Sequence, residues 1–133
     1  MRFDPQAIFA DLAEREKLKG HHSPEGRAIR TLSRALNGWA SGNLSPVDVL
    51  VLCDQAMEDW LKSRLKMPPW SAPSLTQLLT RAAEKKLLAR PHAVRLQRIH
   101  HARARARDTG TAPTARNVES ALELCIRVVE KHW

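Results

Sequence analysis

Residues 114–133, "TARNVESALELCIRVVEKHW", decide what kind of fold this chain adopts. Val118, Ala121, Leu122, Cys125, Val128 and Val129 recur at steps of three and four, so a helix gathers all six on one face. A strand, with its period of two, would scatter them over both faces. Thr114 is placed to cap the helix at its start, and the segment reads as helical to the C-terminus. Burying this face stabilises its packing by several kcal/mol, at about 1.5–3 kcal/mol for each large apolar side chain.

The same reading extends backwards through the chain. Asp4, Pro5 and Gly20 bracket a first helix; Ser23, Pro24 and Glu25 open a second that ends near Gly42. Ser45, Pro46 and Asp48 open a third, which stops before Pro68 and Pro69. Ser74 caps a fourth, "LTQLLTRAAEKKLL", and Pro91 opens a fifth that runs to about Arg107. Val49, Cys53, Ala56, Met57, Trp60 and Leu61 share a face of the third helix. Leu75, Leu78, Leu79 and Ala82 do so on the fourth, and Leu96, Ile99 and Ala106 form a thinner stripe on the fifth. No segment alternates with period two, and the loops are short. The expected fold is all-α, an antiparallel helical bundle of about five to six helices. It forms one domain over 1–133, with an N-terminal helical extension at 1–43 and a bundle at 44–133.

Bulk properties narrow the function. Twenty-two Lys and Arg stand against 14 Asp and Glu, a formal charge of +8. That balance favours a polyanion: RNA, DNA or an acidic protein surface. The longest apolar run, "VLVLC", is too short for a bilayer, and the N-terminus lacks a signal-peptide core. A soluble cytoplasmic protein without a membrane role is expected. Cys53 and Cys125 lie far apart in apolar stretches and read as reduced core residues. The six histidines have no metal-ligand spacing, and no phosphate loop, nucleophile elbow or paired-acid arrangement occurs, so no metal and no cofactor are expected. His21 and His22 fall in a solvated loop, Trp60 on the core stripe, and Trp70 in a loop that it is expected to pin against the bundle.

The fifth helix carries the functional question. "RLQRIHHARARARDTG", residues 95–110, places Arg103 on the same face as Leu96, Ile99 and Ala106. A guanidinium is costly to desolvate alone, so Arg103 has to meet a carboxylate, line a groove, sit at a subunit boundary or snorkel to an edge. Asp54 and Glu58 on the third helix are the candidate partners. Residues 90–107 hold six arginines and no acid, and planar guanidinium donors match paired phosphate oxygens. Arg98, Arg103, Arg105 and Arg107 are the candidate polyanion contacts. No aromatic residue interleaves with them, which argues against base stacking.

The order "CDQAMEDWLKSRL", "SLTQLLTRAAEKKLL", "RLQRIHHARARARDTG", "APTARNVESALELCIRVVE" resembles HEPN domains over about two-thirds of the chain. The first two helices have no counterpart in that pattern. The resemblance implies an all-α homodimer whose active members cleave RNA without metal. Their motif is Arg, four to six residues, then His, facing its twin across the dimer axis. Aligned with it, Arg103 takes the arginine position, Ala104 stands where Asn is usual, and Asp108 stands where His is expected. A carboxylate repels phosphate and is a poor acid at neutral pH, so this register implies a non-catalytic module binding RNA or another polyanion. A shifted register, Arg95 with His100 or His101, keeps the literal spacing and implies a metal-independent ribonuclease of the toxin type. A third reading is an interaction subunit that meets an acidic protein partner.

Overall fold

Five of the six helix starts are built from the cap chemistry written in the sequence. The computed structural model describes residues 4–20, 22–68, 70, 71 and 73–131, and among them places six helices and no strand. They are α1 (Pro5–Lys19), α2 (Pro24–Ala40), α3 (Pro46–Arg64), α4 (Leu75–Glu84), α5 (Arg90–Thr109) and α6 (Ala115–Lys131). The Asp4 carboxylate accepts from the Gln6 N–H at 3.0 Å, Ser23 from Gly26 at 2.9 Å, and Ser45 from Asp48 at 3.2 Å. Ser74 accepts from the Gln77 N–H at 3.2 Å while the Gln77 side chain accepts from the Ser74 N–H at 3.0 Å, a complete capping box. Thr114 accepts from the Asn117 N–H at 3.2 Å. The start of α5 differs: Ala89 offers no side-chain cap, and Pro91 supplies the preset φ of a first turn.

α4 is shorter than the sequence suggests. It ends at Glu84, because Lys86 adopts a positive φ of 58° and the Leu87 N–H returns to the Ala82 carbonyl at 2.9 Å. That closure turns the chain and drops Leu88 into the core, 1% exposed, instead of letting it continue along the helix. α5 in turn reaches Thr109, where Gly110 takes the left-handed conformation that only glycine adopts without cost.

α3 lies at the centre and packs on α2, α4, α5 and α6. Every stripe residue expected on α3, α4 and α6 is buried, and one core cluster runs from Leu12 of α1 to Val129 of α6. On α5, Leu96 and Ala106 are buried and Ile99 is partly so. α2 contributes Ala28, Ile29, Leu32, Ala35 and Leu36 to the same core, while α1 packs on α2 through Leu12 and Ile8. Glu25 ties this end together, accepting from Lys19 at 3.0 Å and from Ser63 at 3.3 Å.

Cys53 and Cys125 are free and buried on α3 and α6. The Cys125 thiol is pushed well above its ordinary pKa by its hydrogen bond with Cys53 and then by burial, so it stays protonated. Trp60 is buried as expected, but Trp70 is 84% exposed and does not pin its loop to the bundle. The two stand in different settings: Trp60 sits on a helix stripe, whereas Trp70 lies in a turn where the Ser71 N–H donates to the Pro68 carbonyl at 3.0 Å, and its ring faces solvent. His22 is exposed in the α1–α2 turn; His21, and the expected helical end at 132–133, lie outside the described residues. No helix among the described residues is long and apolar enough to cross a membrane.

Candidate functional site

Asp54 is the one buried charged residue among those described, 3% exposed. It shares an α3 stripe with Leu50, Met57 and Leu61, all buried, at the spacing of one helix face. Its Oδ2 atom accepts from the Arg103 guanidinium at 2.8 Å and bonds to His100 Nδ1 at 2.9 Å. An ionised carboxylate oxygen only accepts, so His100 donates through Nδ1 and leaves Nε2 as its second ring position. His100, Arg103 and Leu96 share one side of α5, at steps of four and three. The side chains of His100 and Arg103 are each 25% exposed, so the cluster has a dry end at Asp54 and a wet end at α5.

The charge on the α5 packing face therefore meets its counter-charge within one chain. Of the two candidate partners, Asp54 rather than Glu58 bonds to it. The need that pointed to a subunit boundary is met without one. A buried carboxylate with two donors also pins α5 to α3, since removing either side leaves an uncompensated polar group.

The remaining candidates fall in three places. Arg98, Arg105 and Arg107 are exposed, as are Arg90 and Arg95. Arg98 and Arg105, seven residues apart, share the outermost face of α5, whereas Arg107 is turned about half a circle from Arg98. Arg107 lies 3.5 Å from Asp108, and both side chains are about two-thirds exposed. Asp108 thus stands apart from the Asp54–His100–Arg103 cluster. Arg95 lines a cavity of about 330 Å³ between α5 and α6, together with Arg116, Arg127 and the carboxylates Glu119 and Glu123. His101 lies on the α4 side, where its Nε2 accepts from the Gln97 amide at 2.9 Å, and the same amide donates to Thr76 at 2.8 Å. Within one chain, then, Arg95 is not brought beside either histidine. About 140° of helix separates it from His100 and about 120° from His101.

Sequence reasoning missed His100 as the third member of the cluster. The signal was present: His100 shares the Leu96 and Arg103 side of its helix, and Asp54 shares the Leu50 and Met57 side of the opposing one. Two polar residues on facing buried stripes have to satisfy each other. Among the described residues, no three His, Cys, Asp or Glu side chains converge as metal ligands. Comparison of the chain with protein-family models, curated proteins and solved structures finds no match.

Proposed function

We propose that this chain is a non-catalytic, HEPN-like helical module that binds RNA or a similar polyanion through the exposed arginines of α5. One observation carries the reading: Arg90, Arg95, Arg98 and Arg105 are exposed along a single helix and have no ion pair among the described residues. Unpaired guanidinium groups on one rigid rod repel each other, and phosphates offset that repulsion while releasing counterions. The buried cluster supports the reading indirectly, because it holds α5 in place with its outer face to solvent. The homodimer implied by the resemblance is a separate proposal. It loses the support of Arg103, whose charge Asp54 already meets, and sedimentation of the purified protein measures it directly.

Titration of fluorescent single-stranded and duplex RNA into the purified protein, over a range of salt, tests the reading. Binding that weakens steeply with salt is expected. Absence of binding at low salt overturns it.

The tether on His100 favours a second reading. Nδ1 held by a buried carboxylate is how a proton-transferring imidazole is commonly oriented, and Arg103 stands one helical turn away. In this reading a ribonuclease uses His100 with Arg103, not with Arg95. RNA cleavage in EDTA by wild type, His100→Ala and Arg95→Ala separates the two. Background cleavage by all three proteins removes it, and loss on Arg95→Ala alone removes the Arg103 pairing.

A further inference from the structure

The outer side of the α4–α5 hairpin, turned away from α3, holds a groove with a cavity volume of about 630 Å³. Its floor is aliphatic. α4 supplies Leu79 and Ala83; α5 supplies Ala93 and Val94, the latter 46% exposed. On both helices the lining residues recur at steps of three and four, from Thr76 to Glu84 and from Arg90 to His101. They form two ridges roughly 12–16 Å long, at a rise of about 1.5 Å per residue. Arg90 and Arg98 stand on the α5 rim without an ion pair among the described residues, and Glu84 is the only carboxylate in the lining. The Gln97 amide bonds across to Thr76 of α4, linking the two helices, and to His101 within α5.

We propose that this groove docks an acidic amphipathic helix of a partner protein. Two ridges at helical spacing accept the ridge of a third helix, with aliphatic anchors every third and fourth residue entering between them. The unpaired rim cations set the sign of the partner: glutamates or aspartates flank its apolar stripe and meet Arg90 and Arg98. A nucleic acid fits less well, because the floor is aliphatic and the one ring among the described lining residues, His101, is tied through Nε2 to the Gln97 amide. A second copy packed two-fold on the same groove also fits poorly, since it brings Arg90 and Arg98 against their own kind. Arg98 belongs both to this rim and to the outermost face of α5, whereas Arg105, two turns further on, lies outside the groove lining.

Synthetic helical peptides test the proposal against the full-length protein. One has leucines in an i, i+3, i+4, i+7 pattern with glutamate on its flanks. A second replaces the glutamates by lysine, and a third scatters the same leucines around the helix. Fluorescence anisotropy is expected to show saturable binding of the first peptide only, with amide shifts in NMR centred on Ala83 and Val94. Val94→Glu should weaken it about tenfold or more. Should Val94→Glu lose its fold, Arg98→Glu decides: it should weaken the glutamate peptide and admit the lysine one. Arg105→Gln should leave the affinity unchanged. No binding at millimolar peptide, equal binding of all three peptides, or indifference to both groove variants overturns the proposal.

Discussion

Arg103 of α5 donates to the carboxylate of Asp54, 49 residues earlier on α3, at 2.8 Å. Asp54 is almost fully buried, whereas Arg103 keeps a quarter of its side chain in water. The bond is therefore an anchor with one dry partner, and its loss is asymmetric. Asp54→Asn removes the charge that holds two donors and is expected to cost about 2–4 kcal/mol, since breaking a buried pair strands its partner. Arg103→Met should cost at least as much, because it leaves the almost fully buried Asp54 carboxylate without its counter-charge and with only His100 bonded to it. Urea denaturation of both single variants and the double variant measures the coupling; costs that add without coupling would contradict the anchor.

Neutralising the outer face of α5 should act on binding and not on stability. Arg98→Gln with Arg105→Gln removes two exposed charges. For each phosphate no longer neutralised, the slope of log affinity against log salt should fall by about 0.7–0.9. Melting temperature should hardly change. An unaltered slope would exclude these two arginines from the interface.

The two tryptophans at 60 and 70 offer a contrast in burial. Trp60 is 1% exposed and packs under Arg64, whose guanidinium lies 5.2 Å from its ring. Trp60→Ala is expected to cost about 3–5 kcal/mol. Trp70→Ala, at a site 84% exposed, should stay within about 0.5 kcal/mol. Thermal denaturation of the pair checks both, and comparable losses would mean that Trp70 has a partner.

Glu130 near the end of α6 gives the stability a pH dependence of known sign. Burial raises its pKa first, and the carboxylate of Asp11 on α1 adds to the rise, while Arg15 opposes it. A carboxyl whose folded pKa is raised favours folding while protonated. That contribution is present below its unfolded pKa and fades as pH rises through the folded value. Glu130→Gln should therefore be more stable than wild type at neutral pH, with the gain shrinking towards acid. Denaturation curves from pH 4 to 8 test this, and a gain that grows on acidification would reverse the assignment.

Gly26 sits where α2 enters beneath the α1 turn. A Cβ there would meet the Gly20 carbonyl oxygen, a backbone atom that cannot rotate away. Gly26→Ala should cost about 1–3 kcal/mol by overpacking, despite alanine's better helix propensity. Stability equal to wild type would show that the α1–α2 turn yields easily.

The sequence by itself determined the helices and most of the core. Capping residues and a period near 3.6 are local properties, so Ser23, Ser45, Ser74 and Thr114 announce their helices without knowing what those helices touch. The stripes of α3, α4 and α6 are legible for the same reason. The end of α4 was not, because Lys86 and Leu87 are acceptable helix residues, and only the burial of Leu88 favours turning early. Tertiary structure alone decided the electrostatics. Whether Arg103 met Asp54, Glu58 or a second chain depended on how α5 lies across α3, whereas the separation of Arg95 from His100 follows from the helix period alone. Charge energies follow distance and burial between segments far apart in the chain, and neither quantity is written in the order of residues along one helix.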